Sequence, residues 1–101
     1  MRIDSHVHFW KYDRTRLDWI DDSMKVLKKD YLPTDLSGTL SRNEVDGVIA
    51  VQAEQSEVET LFLVELSKTY SLIKGVVGWV DLRASNVSER FDYFSQFPVI
   101  K

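Results

Sequence analysis

Both histidines of the chain fall within its first ten residues, MRIDSHVHFW, as His6 and His8 with one valine between them. On a β-strand, side chains two apart point to the same face, about 6.5–7 Å apart along the backbone. The two imidazoles then share a side, and Asp4 shares it with them. Neutral imidazole nitrogens at that spacing can converge on one divalent cation, and zinc and several other transition ions suit such donors. Asp4, one step deeper, is expected to act as an acceptor behind the histidines. Catalytic zinc usually takes three protein ligands, and this chain has no third histidine and no cysteine. The competing reading is a pair of interior histidines held by hydrogen bonds without a metal.

The elements that must position this pair alternate along the sequence. Strands are expected near residues 2–9, 46–54 and 74–82, with a fourth opening near 99–101. Helices are expected over about 34–43, from a capping box at Ser56 to Glu59 onward, and over about 87–96. Thr34 or Asp35 would cap the first helix, and Ser85 or Ser88 the third. In the second helix Val58, Leu61, Phe62 and Leu66 form an apolar stripe, with Glu57, Glu59, Glu65 and Lys68 mostly off it. The segment from Trp10 to about Pro33 is too long for an ordinary βα loop and is expected to be functional or partly structured. Val48 to Val51 is apolar without alternation, as in a parallel strand covered on both faces.

A β-α-β-α-β-α-β order implies parallel strands with right-handed crossovers. A complete (β/α)8 barrel takes roughly 250 residues, and this chain has 101. The chain is therefore expected to be one α/β unit, residues 1–101, either a small open sheet or the N-terminal part of a barrel with about three and a half βα units. In such barrels the C-terminal strand ends carry the site. That end holds His8, with Phe9 and Trp10 next at the mouth.

Composition sets outer limits. Thirteen Lys and Arg against sixteen Asp and Glu give a net charge of -3, which argues against a nucleic-acid partner. No apolar run reaches the length of a membrane span. No basic segment followed by an apolar run marks a signal peptide, and Met1 is read as a native start. The absence of cysteine fits a reducing, cytoplasmic setting.

Four stretches taken in order, IDSHVHFW, DYLPTDL, VIAVQAEQSEVET and GVVGWVDL, resemble the amidohydrolase superfamily. The likeness is to the branch of TIM-barrel lactonases acting on sugar lactones and pyrone dicarboxylate lactones. It covers nearly the whole chain, and it implies the N-terminal part of a (β/α)8 barrel. It also implies a hydrolase that opens a sugar lactone or related cyclic ester by water attack, with His6 and His8 as metal ligands and zinc as the expected ion. Some members of the branch work without metal. The family's further histidines and its catalytic aspartate would lie beyond Lys101, so no catalytic residue is assigned within this chain. Trp10, Gln52, Glu54 and Asp81 are the expected substrate-binding residues, Gln52 and Glu54 at the end of the second strand and Asp81 near the end of the third. Trp19 and Tyr31 are expected to anchor the long connection. The partner implied is a small-molecule substrate, with a homo-oligomer open. The alternatives are a truncated fragment with no activity of its own, or another HxH hydrolase of amidase, decarboxylase or phosphoesterase type. Phosphoesterases usually follow the pair with a small hydroxyl residue where this chain has Phe9-Trp10.

Overall fold

The computed structural model describes every residue from Met1 to Lys101. Three strands, β1 (Ile3–Val7), β2 (Gly47–Val51) and β3 (Ile73–Val77), form one parallel sheet in the order β1-β2-β3. Helix α1 (Pro33–Arg42) links β1 to β2, α2 (Glu57–Thr69) links β2 to β3, and α3 (Val87–Phe94) follows β3. Beyond α3 the chain returns to the sheet. Val76 N–H donates to the Val99 carbonyl, Lys101 N–H donates to the Val76 carbonyl, and Ile100 pairs in parallel with Val76. A fourth strand opens there, beside β3.

Val7, Ala50 and Val76 lie side by side across the three strands. They pack with Val48, Ile73 and Phe9 against Leu40 of α1 and Leu63 of α2. Both helices thus cover the same face of the sheet, as right-handed crossovers require. Phe9, Val48, Ala50, Leu63 and Val76 are all sealed from solvent. A slab results, 19 Å through its thin dimension.

The strands are shorter than the apolar runs that announce them. The ladder closes where Gln52 N–H donates to the Val77 carbonyl. Gly78–Leu82 continues as irregular chain, because β2 offers it no further partner. Its course is fixed instead by Thr60 of α2, whose hydroxyl accepts the Trp79 N–H at 2.8 Å and donates to the Trp79 carbonyl at 3.1 Å. A Cβ at Gly78 would lie 2.4 Å from the Thr60 methyl, so only glycine permits this approach.

The helix caps also differ in detail from expectation. Leu32 is the N-cap of α1, and Asp35 accepts its N–H from the third helical position at 2.8 Å. Ser56 caps α2 by accepting the Glu59 N–H at 3.1 Å. The Glu59 carboxylate does not reach back; it points into the protein. Asn86, rather than Ser85 or Ser88, precedes α3. The buried residues of α2 are Glu59, Thr60, Leu63 and Val64, and Val58 is 63% exposed. The face against the sheet is therefore turned from the expected stripe, with Phe62 and Leu66 at its margin.

The long first connection is structured. Trp10 and Tyr31 exchange N–H···O bonds at 2.9 Å, closing it into a loop. Trp10, Leu17 and Ile20 form a second small core, packed by Tyr12, Met24, Leu27, Tyr31 and Ala53. Two 3-10 turns over Asp22–Leu27, kinked at Met24 and capped by Asp21, complete it.

Candidate functional site

His6 and His8 stand together at the end of β1, their ring centroids 4.9 Å apart and edge to face. Nδ1 of His8 lies 3.0 Å from the Val51 carbonyl oxygen at the end of β2. A carbonyl only accepts, so this nitrogen carries the proton and Nε2 keeps its lone pair. The neighbouring strand thereby fixes the tautomer that a metal-binding histidine needs. Asp4 does not play the part expected of it. A register shift separates Asp4 from Val7, and the Asp4 carboxylate accepts the backbone N–H of His6 at 3.1 Å.

The donor set fits a divalent cation in kind but is incomplete in number. No third His, Cys, Asp or Glu gathers on the two rings. His6 and His8 can furnish two of the three or more protein ligands such an ion takes in a catalytic site.

Beside His8 opens a cavity of about 410 Å3, lined by Arg16, Asp18, Trp19, Gln52, Glu54 and their neighbours. Gln52 and Glu54 thus meet His8 in one hollow, as residues just past a strand end can. Glu54 is already engaged. It accepts from Arg16 Nε at 2.9 Å, from Arg16 Nη2, and from Ser56 Oγ at 3.0 Å. Trp19 is 46% exposed and holds the Ala53 carbonyl through its indole N–H at 3.2 Å.

Two expected binding residues lie elsewhere. Trp10 is 7% exposed and gives its indole N–H to the Lys29 carbonyl at 2.9 Å. Its ring packs edge-on against Trp19 and Tyr31. Asp81 lines a neighbouring hollow with Trp79, Leu82, Arg83 and Phe91. Its carboxylate accepts the Arg83 N–H at 2.9 Å, the work of a turn cap leading into α3.

A protein named L-fucono-1,5-lactonase from Burkholderia multivorans is 46% identical over 90 residues, covering 89% of this chain and 30% of that protein. Another of the same name from Burkholderia ambifaria is 32% identical over 85 residues, covering 84% of this chain and 29% of that protein. A crystal structure of an amidohydrolase from Burkholderia multivorans with bound zinc superposes with a TM-score of 0.86 at 44% identity, covering 91% of this chain and 32% of that one. A second crystal form of that amidohydrolase, with bound HEPES, gives 0.88 at 44% identity, covering 93% and 33%. Over the residues it spans, this chain belongs to the amidohydrolase superfamily. It spans about 30% of the length of the curated relatives it matches. No family model matches it.

Three and a half βα units of an amidohydrolase (β/α)8 barrel are thus present. This amidohydrolase chain also carries site residues that sequence reasoning passed over. Arg16 and Asp18 come from the long connection, where no periodicity marks them. Glu59 read as a solvent-facing residue off the α2 stripe. It is 2% exposed, and its Oε1 has no hydrogen-bond partner. Its pKa is pushed up to about 7, first by burial and then by the Glu54 charge, against the opposing pull of Arg16 and the Ala53 N–H.

Proposed function

We propose that this chain forms the first part of a hydrolase that opens a sugar lactone or a related cyclic ester. The carrying observation is the pair of edge-to-face imidazoles at the mouth of the sheet, one with its Nε2 left free by the Val51 carbonyl. His6 and His8 would hold a divalent cation, and zinc is the ion we assign. Such an ion, when bound, polarises an ester carbonyl and acidifies a water molecule. The names of the Burkholderia lactonases and the zinc in the Burkholderia multivorans amidohydrolase support this reading.

The rest of the reading concerns binding. The hollow beside His8 offers an exposed indole face on Trp19 and polar side chains on Gln52, Asp18 and Arg16. A small polyhydroxylated ring has matching chemistry, with one apolar face and a rim of donors and acceptors. Gln52, with both an acceptor and donors on its amide, is suited to a vicinal pair of hydroxyls. Trp10 serves by holding the loop that carries Trp19. No side chain is assigned as general base, so the 101-residue chain is expected to bind metal weakly and to turn nothing over.

Two measurements test this. The first titrates the chain with zinc while following the imidazole resonances. Both rings should respond together, and His8→Ala should abolish the response of His6. The second assays hydrolysis of L-fucono-1,5-lactone. The isolated chain should show none. A longer protein carrying these residues and the remaining strands should be active, and should lose at least about 100-fold on His6→Ala. Unchanged metal content and rate in that variant would remove the ligand assignment.

A further inference from the structure

Arg16 is held in place by two carboxylates, yet much of its guanidinium is free. Asp13 fixes its backbone by accepting the N–H groups of Thr15 and Arg16 at 2.8 and 3.0 Å. Nε and Nη2 both donate to Oε1 of Glu54. A guanidinium has five N–H donors, so three remain, on a side chain that is 47% exposed and borders the cavity of His8, Trp19 and Gln52. Glu54 is not a surface partner, since its side chain is only 9% exposed. Behind both lies Glu59, which lines a small hollow with Arg16 and Glu54. Its unpartnered, sealed Oε1 is a destabilising feature by itself. Sinking two carboxylates around one arginine costs desolvation that the fold does not need. The arrangement makes sense as a device that holds a charged donor fork at a fixed place.

We propose that Arg16 is the specificity-determining cation of this cavity, positioned by Glu54 and Glu59, and that it takes the carboxylate of an open-chain hydroxy acid. The proposal rests on the lactonase reading in one respect: opening a lactone ring releases such an acid. Glu59 then governs how firmly that anion is held. The charged groups facing it are Arg16 and Lys11 from the first connection and Glu54 from the turn before α2. With Glu59 protonated, Arg16, Lys11 and Glu54 together carry one positive charge; with Glu59 ionised, the four groups cancel and the attraction for an anion weakens. Affinity for a hydroxycarboxylate falls as the pH rises through about 7, the value to which burial pushes Glu59. Affinity for a neutral polyol does not change.

The test uses L-fuconate and its neutral counterpart L-fucitol, with NMR of the Arg16 Nε–H and the Trp19 indole N–H. Fuconate should shift both signals and bind at least tenfold more tightly than fucitol at pH 6. Arg16→Gln should remove that advantage, because fuconate loses its charge partner whereas fucitol loses at most one neutral hydrogen bond. Should Arg16→Gln loosen the loop, seen as loss of the Trp10 indole signal, Arg16→Lys carries the test. It keeps the charge, loses the fork, and should weaken fuconate severalfold. Glu59→Gln should abolish the decline in fuconate affinity between pH 6 and 8, which a purely structural role would not do. Equal fuconate affinity in wild type and the Arg16 variants overturns the proposal, as does an unmoved Arg16 signal at saturation. A zinc titration of the same samples separates the two readings. An intact zinc response without an Arg16 response sinks this proposal alone; an Arg16 response without a zinc response supports it and removes His6 and His8 as metal ligands.

Discussion

Glu59 sets the pH behaviour of the chain at the scale of single residues. A carboxyl whose folded pKa lies near 7, above its ordinary value of 4.5, holds its proton more tightly folded than unfolded. The folded state therefore loses stability as the pH rises from about 4.5 through 7, the reverse of an ion-paired carboxylate. Glu59→Gln should stabilise the chain at pH 8 by about 1–2 kcal/mol, the scale of an unpaired buried polar group, and change little at pH 5. Urea midpoints at the two pH values check this; equal effects at both would mean that Glu59 is not the titrating group. A second residue is strained by its backbone. Glu44 ends α1 with φ of 56°, in the left-handed region that glycine occupies without penalty. The Val45 N–H still closes the cap by reaching back to the Leu40 carbonyl at 2.9 Å. Glu44 faces Arg2 only across an exposed 3.8 Å pair, which contributes little. Glu44→Gly should therefore raise stability by about 0.5–1 kcal/mol, read as a higher thermal midpoint.

Contacts between elements decide where the site loops lie, and there α2 is the pivot. Thr60 grips the backbone at Trp79 through both ends of its hydroxyl, and Gly78 lets it come that close. Gly78→Ala should cost about 1–3 kcal/mol, the usual toll of overpacking. Adding Thr60→Ser, which deletes the clashing methyl and keeps the hydroxyl, should restore part of it; no recovery would place the strain elsewhere. In the same first turn of α2, Glu57 accepts Arg90 Nε at 3.0 Å and Nη2 at 2.6 Å, tying α3 to α2 while Arg90 stacks on Tyr93 and Phe94. The order of these elements was legible in the sequence, because apolar runs mark the strands and Ser56 marks the start of α2, although α1 begins at Pro33 with Leu32 as its cap rather than Thr34 or Asp35. The placement of His6 and His8 on one side was legible from their spacing. The extent of β3 was not, because Gly78–Leu82 is as apolar as a strand and only the missing ladder partner ends it. Arg16 and Glu59 were illegible for a related reason. An arginine in a loop and a glutamate on a helix read as solvated, and only the tertiary approach of the first connection to α2 brings them to Glu54.

At the scale of the whole molecule, the sheet is open. β1 pairs with β2 on one side only, and most of its residues, Ile3 included, are exposed. Leu82 and Phe91, at 71% and 53% exposure, add apolar surface beyond β3. An unpaired strand edge is a template for pairing with a second chain, and contiguous apolar surface adds a driving force for association. The net charge of -3 is small, so repulsion between copies is weak. The chain is expected to self-associate as its concentration rises, with the β1 edge as the principal contact. A charged side chain on that edge opposes strand addition, so Ser5→Lys should shift sedimentation toward monomer at the same concentration. Leu82→Lys changes the far surface and leaves the edge intact, so it should have the smaller effect. The reverse ranking would assign the association to the apolar surface near α3, and a concentration-independent monomer would remove it altogether. The distinction matters for the site. His6 and His8 lie on and just past the edge strand, so association through β1 should alter their zinc response, whereas association through Leu82 and Phe91 should leave it unchanged.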